Sequence, residues 1–303
     1  MSAKAVPTED PSADEALVRS LLADQRPDLA GAELRVVDGG WDNRMWRLGS
    51  DLAVRVPRTP RAPELLRKEL RWLPSLAPEL PLPVPVPVHS GAPSPGFPHT
   101  WTITTWVPGE PADRAALRDP RSARILARFL SALHHPAPDD APTDTQRGVP
   151  LSEVADGFEE LLRRGAVHGD LDRVGAVWER ARAAPAWDGP PVWLHGDLHP
   201  ANVVGADGVL TGVIDFGDMC SGDPATDLSA AWLLAPSGSV DHFFSEYARA
   251  DEAAVLRARG WALLRCQGLI EIGRAGEAGL PGGKPTWKGP ALEALSRVLS
   301  SSP

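Results

Sequence analysis

The feature that most restricts the fold is a change of pattern at Val107-Pro108-Gly109. Before it, short apolar runs separated by turn residues read as strands. They are Glu33 to Asp38, Trp41 to Leu48, Leu52 to Val56 and Trp101 to Val107. Gly49-Ser50-Asp51 supplies a turn between the second and third. In Leu52 to Val56, alternation puts Leu52, Val54 and Val56 on one face and Ala53 and Arg55 on the other. Two helices accompany these strands, Asp14 to Ala23 and Pro63 to Leu76, the latter with proline near its first turn. After the break the chain is largely helical: Arg121 to His134, Ser152 to Arg164, Arg173 to Ala183, Thr226 to Leu234, Val240 to Ala248, Glu252 to Gly273 and Pro290 to Leu299. A strand, Val192 to Leu194, and a hairpin, Asn202 to Val204 with Gly212 to Phe216, interrupt the helices. Strands gathered in one part and helices in another predict an α+β protein of two lobes, residues 1–106 and 107–303.

Two segments are less regular. Pro81 to Pro87 alternates proline with Leu or Val. It reads either as a polyproline II ligand or as an extended connector, and the strand that soon follows favours the connector. The glycine-rich stretch Gly273 to Gly289 is the expected mobile loop of the second half.

Composition narrows the function classes. The formal net charge of −9 argues against nucleic acid as a main partner, because a phosphate backbone calls for a basic surface. A mildly acidic surface also simply keeps a protein in solution. No run of about 18 apolar residues is present, so no membrane span is expected. The first residues are polar and lack the basic start and apolar centre of a signal peptide. Two cysteines, Cys220 and Cys266, make no disulfide framework, and cytoplasm is the expected compartment.

The chemistry concentrates in Leu194-His195-Gly196-Asp197-Leu198-His199-Pro200-Ala201-Asn202, followed by Gly212-Val213-Ile214-Asp215-Phe216-Gly217. An Asp and an Asn five residues apart occur by chance on many loops. The joint pattern makes chance a poor account: apolar strand, His-Gly-Asp, Asn, short hairpin, apolar strand, Asp-Phe-Gly. A second copy, His168-Gly169-Asp170, serves as a control. Gly175 stands where the Asn would be, so this copy reads as a turn between helices. His195 and His199 lack the glutamate of a zinc His-Glu-x-x-His motif, and Pro200 opposes the helix that motif needs. Neither cysteine lies in a Cys-x-x-Cys pair, and no nucleophile elbow or Walker loop is present.

These segments, with Gly222-Asp223-Pro224-Ala225-Thr226-Asp227-Leu228 downstream, resemble the aminoglycoside phosphotransferase family, a branch of the protein-kinase-like fold. The resemblance implies a small N-terminal antiparallel sheet lobe with a helix and a larger, mainly helical C-terminal lobe. It implies transfer of the γ-phosphate of ATP or GTP, with Mg²⁺, to a hydroxyl of a small molecule. Asp197 would accept or align the acceptor's proton, and Asn202 and Asp215 would hold Mg²⁺. His195 would brace the loop. Asp218, Asp223 and Asp227 would tie loops and helix starts together, with Asp223 or Thr226 as a cap. His134 would have a packing role.

At the nucleotide end, Gly39-Gly40-Trp41-Asp42-Asn43 would cover the phosphates, though an ordinary turn is an equal reading of those residues alone. Arg55 stands where the family mostly has Lys, and keeps the charge and two phosphate donors. Glu69 would be its partner, and Trp106 and Val107 would offer backbone hydrogen bonds to the base; a solvated glutamate and a core tryptophan are the plain alternatives. The chain has no activation segment and no Ala-Pro-Glu anchor, which favours a small-molecule acceptor, an antibiotic first. Asp156, Glu159, Glu160, Glu271 and Glu277 are candidate wall acids for an amine-bearing acceptor, or solvated surface residues. A kinase of an amino alcohol or sugar, and a nucleotide-binding regulator without catalysis, are the competing functions. The regulator fits less well, since Asp197, Asn202 and Asp215 are all present.

Overall fold

The structure, a computed structural model, describes residues 11–38 and 40–300. Gly39 therefore lies outside the described residues. Helix α1 (Pro11–Gln25) precedes three consecutive antiparallel strands, β1 (Leu34–Val37), β2 (Asn43–Leu48) and β3 (Leu52–Pro57). Helix α2 (Ala62–Leu76) follows, then β4 (Pro87–Gly91) and β5 (Trp101–Thr105). The sheet order is β1-β2-β3-β5-β4, and every pair is antiparallel. Alternation along β3 divides the two faces as the sequence predicts. Val54 and Val56 join Val18, Leu21 and Leu22 of α1, with Trp46, Trp101 and Ile103, in one dry core. Arg55 and its cross-strand partner Thr102 share the opposite face, where the buried Glu69 of α2 meets Arg55.

Pro81 to Pro87 is an extended connector that ends in β4, a strand the sequence reading missed. Proline can open an edge strand because no partner needs its amide. The connector also ties the two halves together. Thr105 Oγ1 bonds the Val84 carbonyl and the Val86 amide, while the Pro83 carbonyl accepts the Val213 amide.

The helical half begins after the short strand β6 (Glu110–Pro111). It contains α3 (Arg121–Leu133), α4 (Ala155–Arg163) and α5 (Leu171–Ala183). Strand β7 (Val192–Leu194) comes next, then the hairpin β8 (Val203–Ala206) and β9 (Val209–Val213), and then β10 (Cys220–Gly222), which pairs with β7. Asp207 and Gly208 turn the hairpin with φ of 51° and 78°, the handedness that suits a two-residue connection. Helices α6 (Ala225–Leu228), α7 (Ala230–Leu233), α8 (Val240–Tyr247), α9 (Glu252–Glu277) and α10 (Pro285–Ser300) complete the lobe. The control triplet His168-Gly169-Asp170 is a helix start: Asp170 caps α5 by accepting the Arg173 amide at 2.9 Å.

One expectation is corrected. Gly273 to Gly289 is not a loop but the crossing of α9 with α10, broken only between residues 278 and 284. Glycine here permits close packing. A Cβ at Gly273 would lie 2.5 Å from Lys288 Cβ, and one at Gly276 would lie 2.4 Å from the Pro285 nitrogen. The pair runs antiparallel, since Arg259 reaches the Val298 carbonyl at the far end.

Candidate active site

Strand β7 is buried along its length and fixes where the chain emerges after Leu194. Gly196 then turns with φ of 83°, and a Cβ there would lie 2.5 Å from the Asp218 carbonyl oxygen. Glycine alone accepts that backbone at that approach. The loop is braced from beneath. Buried Asp227 accepts the amides of His195 and Gly196 at 2.6 and 2.9 Å. His195 Nε2 lies 2.9 Å from the Ile214 carbonyl, and Nδ1 lies 3.2 Å from the Asp197 amide. A carbonyl only accepts and an amide only donates, so these partners assign the ring proton to Nε2. Asp227 also meets His134 at 3.4 Å, and His134 bonds the Tyr247 hydroxyl at 2.8 Å. Burial alone would raise the Asp227 carboxyl, but His134, His195 and the Gly196 amide outweigh it and hold it below the usual carboxylate range. Asp223 caps the start of α6 through the Ala225 amide at 2.9 Å and pairs with buried Arg257 at 2.8 Å. Thr226 instead accepts the Gly148 amide.

Asp197 projects from this brace. Its Oδ1 accepts Arg265 Nη1 at 2.6 Å, with Arg147 Nη2 3.7 Å away. Its Oδ2 faces Asn202 Nδ2 at 3.3 Å and His199 Nε2 at 3.6 Å. Burial pushes this carboxyl up, but His199, Arg265 and Arg147 together hold it well below the usual range. These neighbours thus favour the charged form of the carboxyl despite its burial. Asn202 Nδ2 also donates to the Asp197 carbonyl at 2.9 Å, which leaves its amide oxygen uncommitted. The Ile214 amide donates to the Asn202 carbonyl at 2.9 Å and so brings Asp215 beside it. Asp215 adopts a left-handed backbone, φ 65° and ψ 68°, at a cost of about 1–3 kcal/mol for a non-glycine residue. Its carboxylate, 54% exposed, lies 3.8 Å from Arg55 Nη2.

On the sheet side Arg55 is ion-paired with Glu69, and both are buried. Burial pushes the Glu69 carboxyl up, and Arg55 opposes it. Glu69 Oε1, Asn43 Oδ1 and Thr102 Oγ1 are buried without partners. By strand register, Asn43 and Thr102 share the face of Arg55. Orphaned buried polar atoms gathered on one wall are a cost that a polar ligand relieves. At the mouth, a Cβ on Gly40 would lie 2.2 Å from the Asn43 carbonyl, so the turn closes only with glycine. Asp42 in that turn pairs with Arg61 at 2.6 Å, and Arg61 reaches on to Asp218 at 3.3 Å. Asp218 also accepts Arg147 at 2.9 Å. Trp41 stacks on Trp287 of α10 at 6.4 Å, and Trp287 packs on His199 at 4.6 Å. The glycine turn, the loop bearing Asp197 and the C-terminal helix thus meet at one mouth.

The Asn202 oxygen and the Asp215 carboxylate are hard oxygen donors on adjoining strands of chain. Among the described residues no group of three or more His, Cys, Asp or Glu is placed to hold a metal ion. Mg²⁺ held through one or two side chains and nucleotide phosphates needs no such cage, so this donor set fits it. Cys220 and Cys266 are free and buried, and burial pushes each thiol up to about 12, which leaves them inert.

Other expected site residues make contacts of their own. The Trp106 amide is taken by the Asp51 carbonyl at 2.7 Å, and its ring carries the Arg47 guanidinium, so that amide is not free for a base. Val107 is buried against the hairpin at Gly212. Among the described residues no hydrogen bond or ion pair joins the candidate wall acids to Asp197. Glu159 pairs with Arg182 at 2.5 Å, and Glu160 pairs with Arg163 and Arg164. Glu271 pairs with His168 at 2.6 Å, Glu277 with Lys288 at 2.6 Å, and Asp156 is exposed on α4. Sequence reasoning missed Arg61, Arg147, Arg265 and Trp287. Arg265, the sole charged residue between Trp261 and Ile270 of that helix, was the available hint.

A two-lobed, kinase-like architecture with a polar cleft between sheet and helices is the class this fold and site define. The chain belongs to the phosphotransferase enzyme family, whose model matches residues 33–265. It is 32% identical over 177 residues to streptomycin 3″-kinase from Streptomyces griseus, covering 53% of this chain and 62% of that kinase, under two thirds of its length. The GDP complex of wild-type aminoglycoside 2′-phosphotransferase-IIIa superposes with a TM-score of 0.69 at 18% identity, covering 95% of this chain and 99% of that one. The apoenzyme of macrolide 2′-phosphotransferase MphH from Brachybacterium faecium superposes with a TM-score of 0.60 at 25% identity, covering 95% and 99%. No described helix is long and apolar enough to cross a membrane.

Proposed function

We propose that this chain transfers the γ-phosphate of ATP or GTP to a hydroxyl of a small molecule, first of all an antibiotic, giving resistance or self-protection. The observation that carries the reading is the spacing across the cleft. Arg55, anchored by Glu69, lies 3.8 Å from Asp215, while Asn202 ties the chain before Asp215 to the loop bearing Asp197. In this reading residues 1–106 hold the nucleotide and 107–303 carry catalysis and the acceptor. Arg55 grips the α- and β-phosphates with two donors. Gly40 and Gly39 would leave room for the phosphates, and the Trp106 carbonyl and Val107 amide would offer hydrogen bonds to the base. Asn202 and Asp215 would hold Mg²⁺, which neutralises charge on the phosphates when bound. Asp197 Oδ2 takes or aligns the acceptor's hydroxyl proton as the alcohol oxygen bonds to phosphorus and the bond to the β-phosphate oxygen breaks. His195 and Asp227 keep the loop in register.

The relatives support an antibiotic acceptor without choosing one, since one is a streptomycin kinase and another a macrolide phosphotransferase. The cytoplasm, where nucleoside triphosphates are abundant and buried thiols stay reduced, is the compartment that suits this chemistry. A phosphate-transfer screen over aminoglycosides, macrolides and common metabolites, read by mass shift, tests the proposal. Asp197→Asn, which keeps a neutral partner for Arg265, should lower transfer by at least about 10³-fold with nucleotide affinity retained. Transfer at the wild-type rate in that variant would discard the assignment of Asp197.

A further inference from the structure

We propose that Arg265 is a positioning residue for phosphoryl transfer, gripping the Asp197 carboxylate and the Gly196 carbonyl at once and so deciding which carboxylate oxygen meets the acceptor. The inference rests on the reading of Asp197 as the group that receives the hydroxyl proton. Arg265 Nη1 donates to Asp197 Oδ1 at 2.6 Å, and Nη2 of the same guanidinium donates to the Gly196 carbonyl. A planar fork bound to a side chain and to the peptide before it fixes the side chain's rotation relative to its own backbone. The fork is itself rigidly based. Arg265 lies within α9, which packs on α5 and α10, and its side chain is only 15% exposed.

Arg147 does not duplicate this role. It meets the Gly196 carbonyl through Nε at 3.0 Å, but its Nη2 is turned to Asp218 at 2.9 Å and stays 3.7 Å from Asp197. Among the described residues, Arg265 is thus the cation in hydrogen-bond contact with Asp197. With Oδ1 committed to it, Oδ2 accepts only the longer 3.3 Å bond from Asn202 Nδ2, with His199 Nε2 3.6 Å away, and keeps acceptor capacity for a hydroxyl. Without the fork the carboxylate is restrained only by the longer contacts of Asn202, His199 and Arg147, at 3.3 to 3.7 Å, and can turn. A displacement of that kind, about 1 Å, is enough to lower a rate about a hundredfold.

The experiment uses the full chain, with nucleotide and the best acceptor from the screen. Arg265→Ala should lower kcat about 100-fold, with acceptor KM and nucleotide Kd within about threefold of wild type. Arg265→Lys should recover less than about a tenth of the lost rate, because a single point donor cannot span both oxygens. Added ethylguanidinium should restore Arg265→Ala at least about tenfold and leave wild type and Arg265→Lys unchanged. Unaltered kcat in Arg265→Ala overturns the proposal. So does a loss of kcat that follows Tm and nucleotide affinity downward with no rescue, because that is the signature of a merely structural pair. If Arg265→Ala does not fold, Arg265→Gln is measured for the same split. It keeps one donor for the Gly196 carbonyl, and wild-type kcat in it sinks the idea. Full transfer by Asp197→Asn refutes the underlying reading instead, so the two failures are distinct.

Discussion

The two walls of the cleft are assembled in opposite ways. On the sheet wall Arg55 and Glu69 meet across 14 residues, from a strand to the helix that follows it. On the helical wall Asp197 draws on Arg147 and on Arg265, 68 residues away. The sheet wall is a local unit buried almost completely, whereas the helical wall exists only once α9 has docked. The difference suits the proposed work. A triphosphate presents one fixed charge pattern, which a local motif can meet, while an acceptor's shape is matched by side chains that tertiary packing brings together.

The sharpest way to break this contrast is to open the sheet wall. Arg55→Ala leaves Glu69, 1% exposed, without its partner. Removing one member of a buried pair costs about 3–5 kcal/mol, so a large fall in Tm is expected along with loss of nucleotide binding. Arg55→Ala with Glu69→Leu removes the stranded charge and should recover most of the stability but none of the binding, read by thermal melts and calorimetry. Nucleotide binding at wild-type affinity in the double variant would mean that Arg55 serves the fold alone.

On the helical wall, Gly196→Ala tests whether the loop's shape matters as much as its charges. At φ of 83°, with the Asp218 carbonyl 2.5 Å from the new Cβ, the backbone must move. Strain of about 1–3 kcal/mol is expected, with kcat reduced more than nucleotide affinity. An unchanged kcat would show that the tight turn beside Asp197 is dispensable.

What was legible in the sequence follows the same division. Asp197, Asn202 and Asp215 fall within one strand-loop-hairpin, so their order already implies a shared loop, and alternation along β3 placed Arg55 opposite Val54 and Val56. The Arg61, Arg147 and Arg265 contacts join segments between 19 and 157 residues apart. No period or motif links such positions. Gly273 to Gly289 misled because glycine marks both mobile loops and close helix crossings, and only the contact of Gly273 with Lys288 separates the two.

The smallest effect is the one that most sharpens the contrast. Glu159 was a candidate for binding an amine-bearing acceptor, yet it pairs with Arg182 at 2.5 Å, the two side chains 31% and 41% exposed. Such a pair contributes about 0–1 kcal/mol, so Glu159→Gln should shift Tm by no more than a few degrees. Its effect on acceptor KM is the informative reading. If the acceptor wall is the surface around Asp197, Arg265 and Trp287, KM for any cationic acceptor stays within about twofold of wild type. A tenfold rise would mean that Arg182 yields Glu159 to the acceptor, and helix α4 would then belong to the wall that these contacts leave it out of.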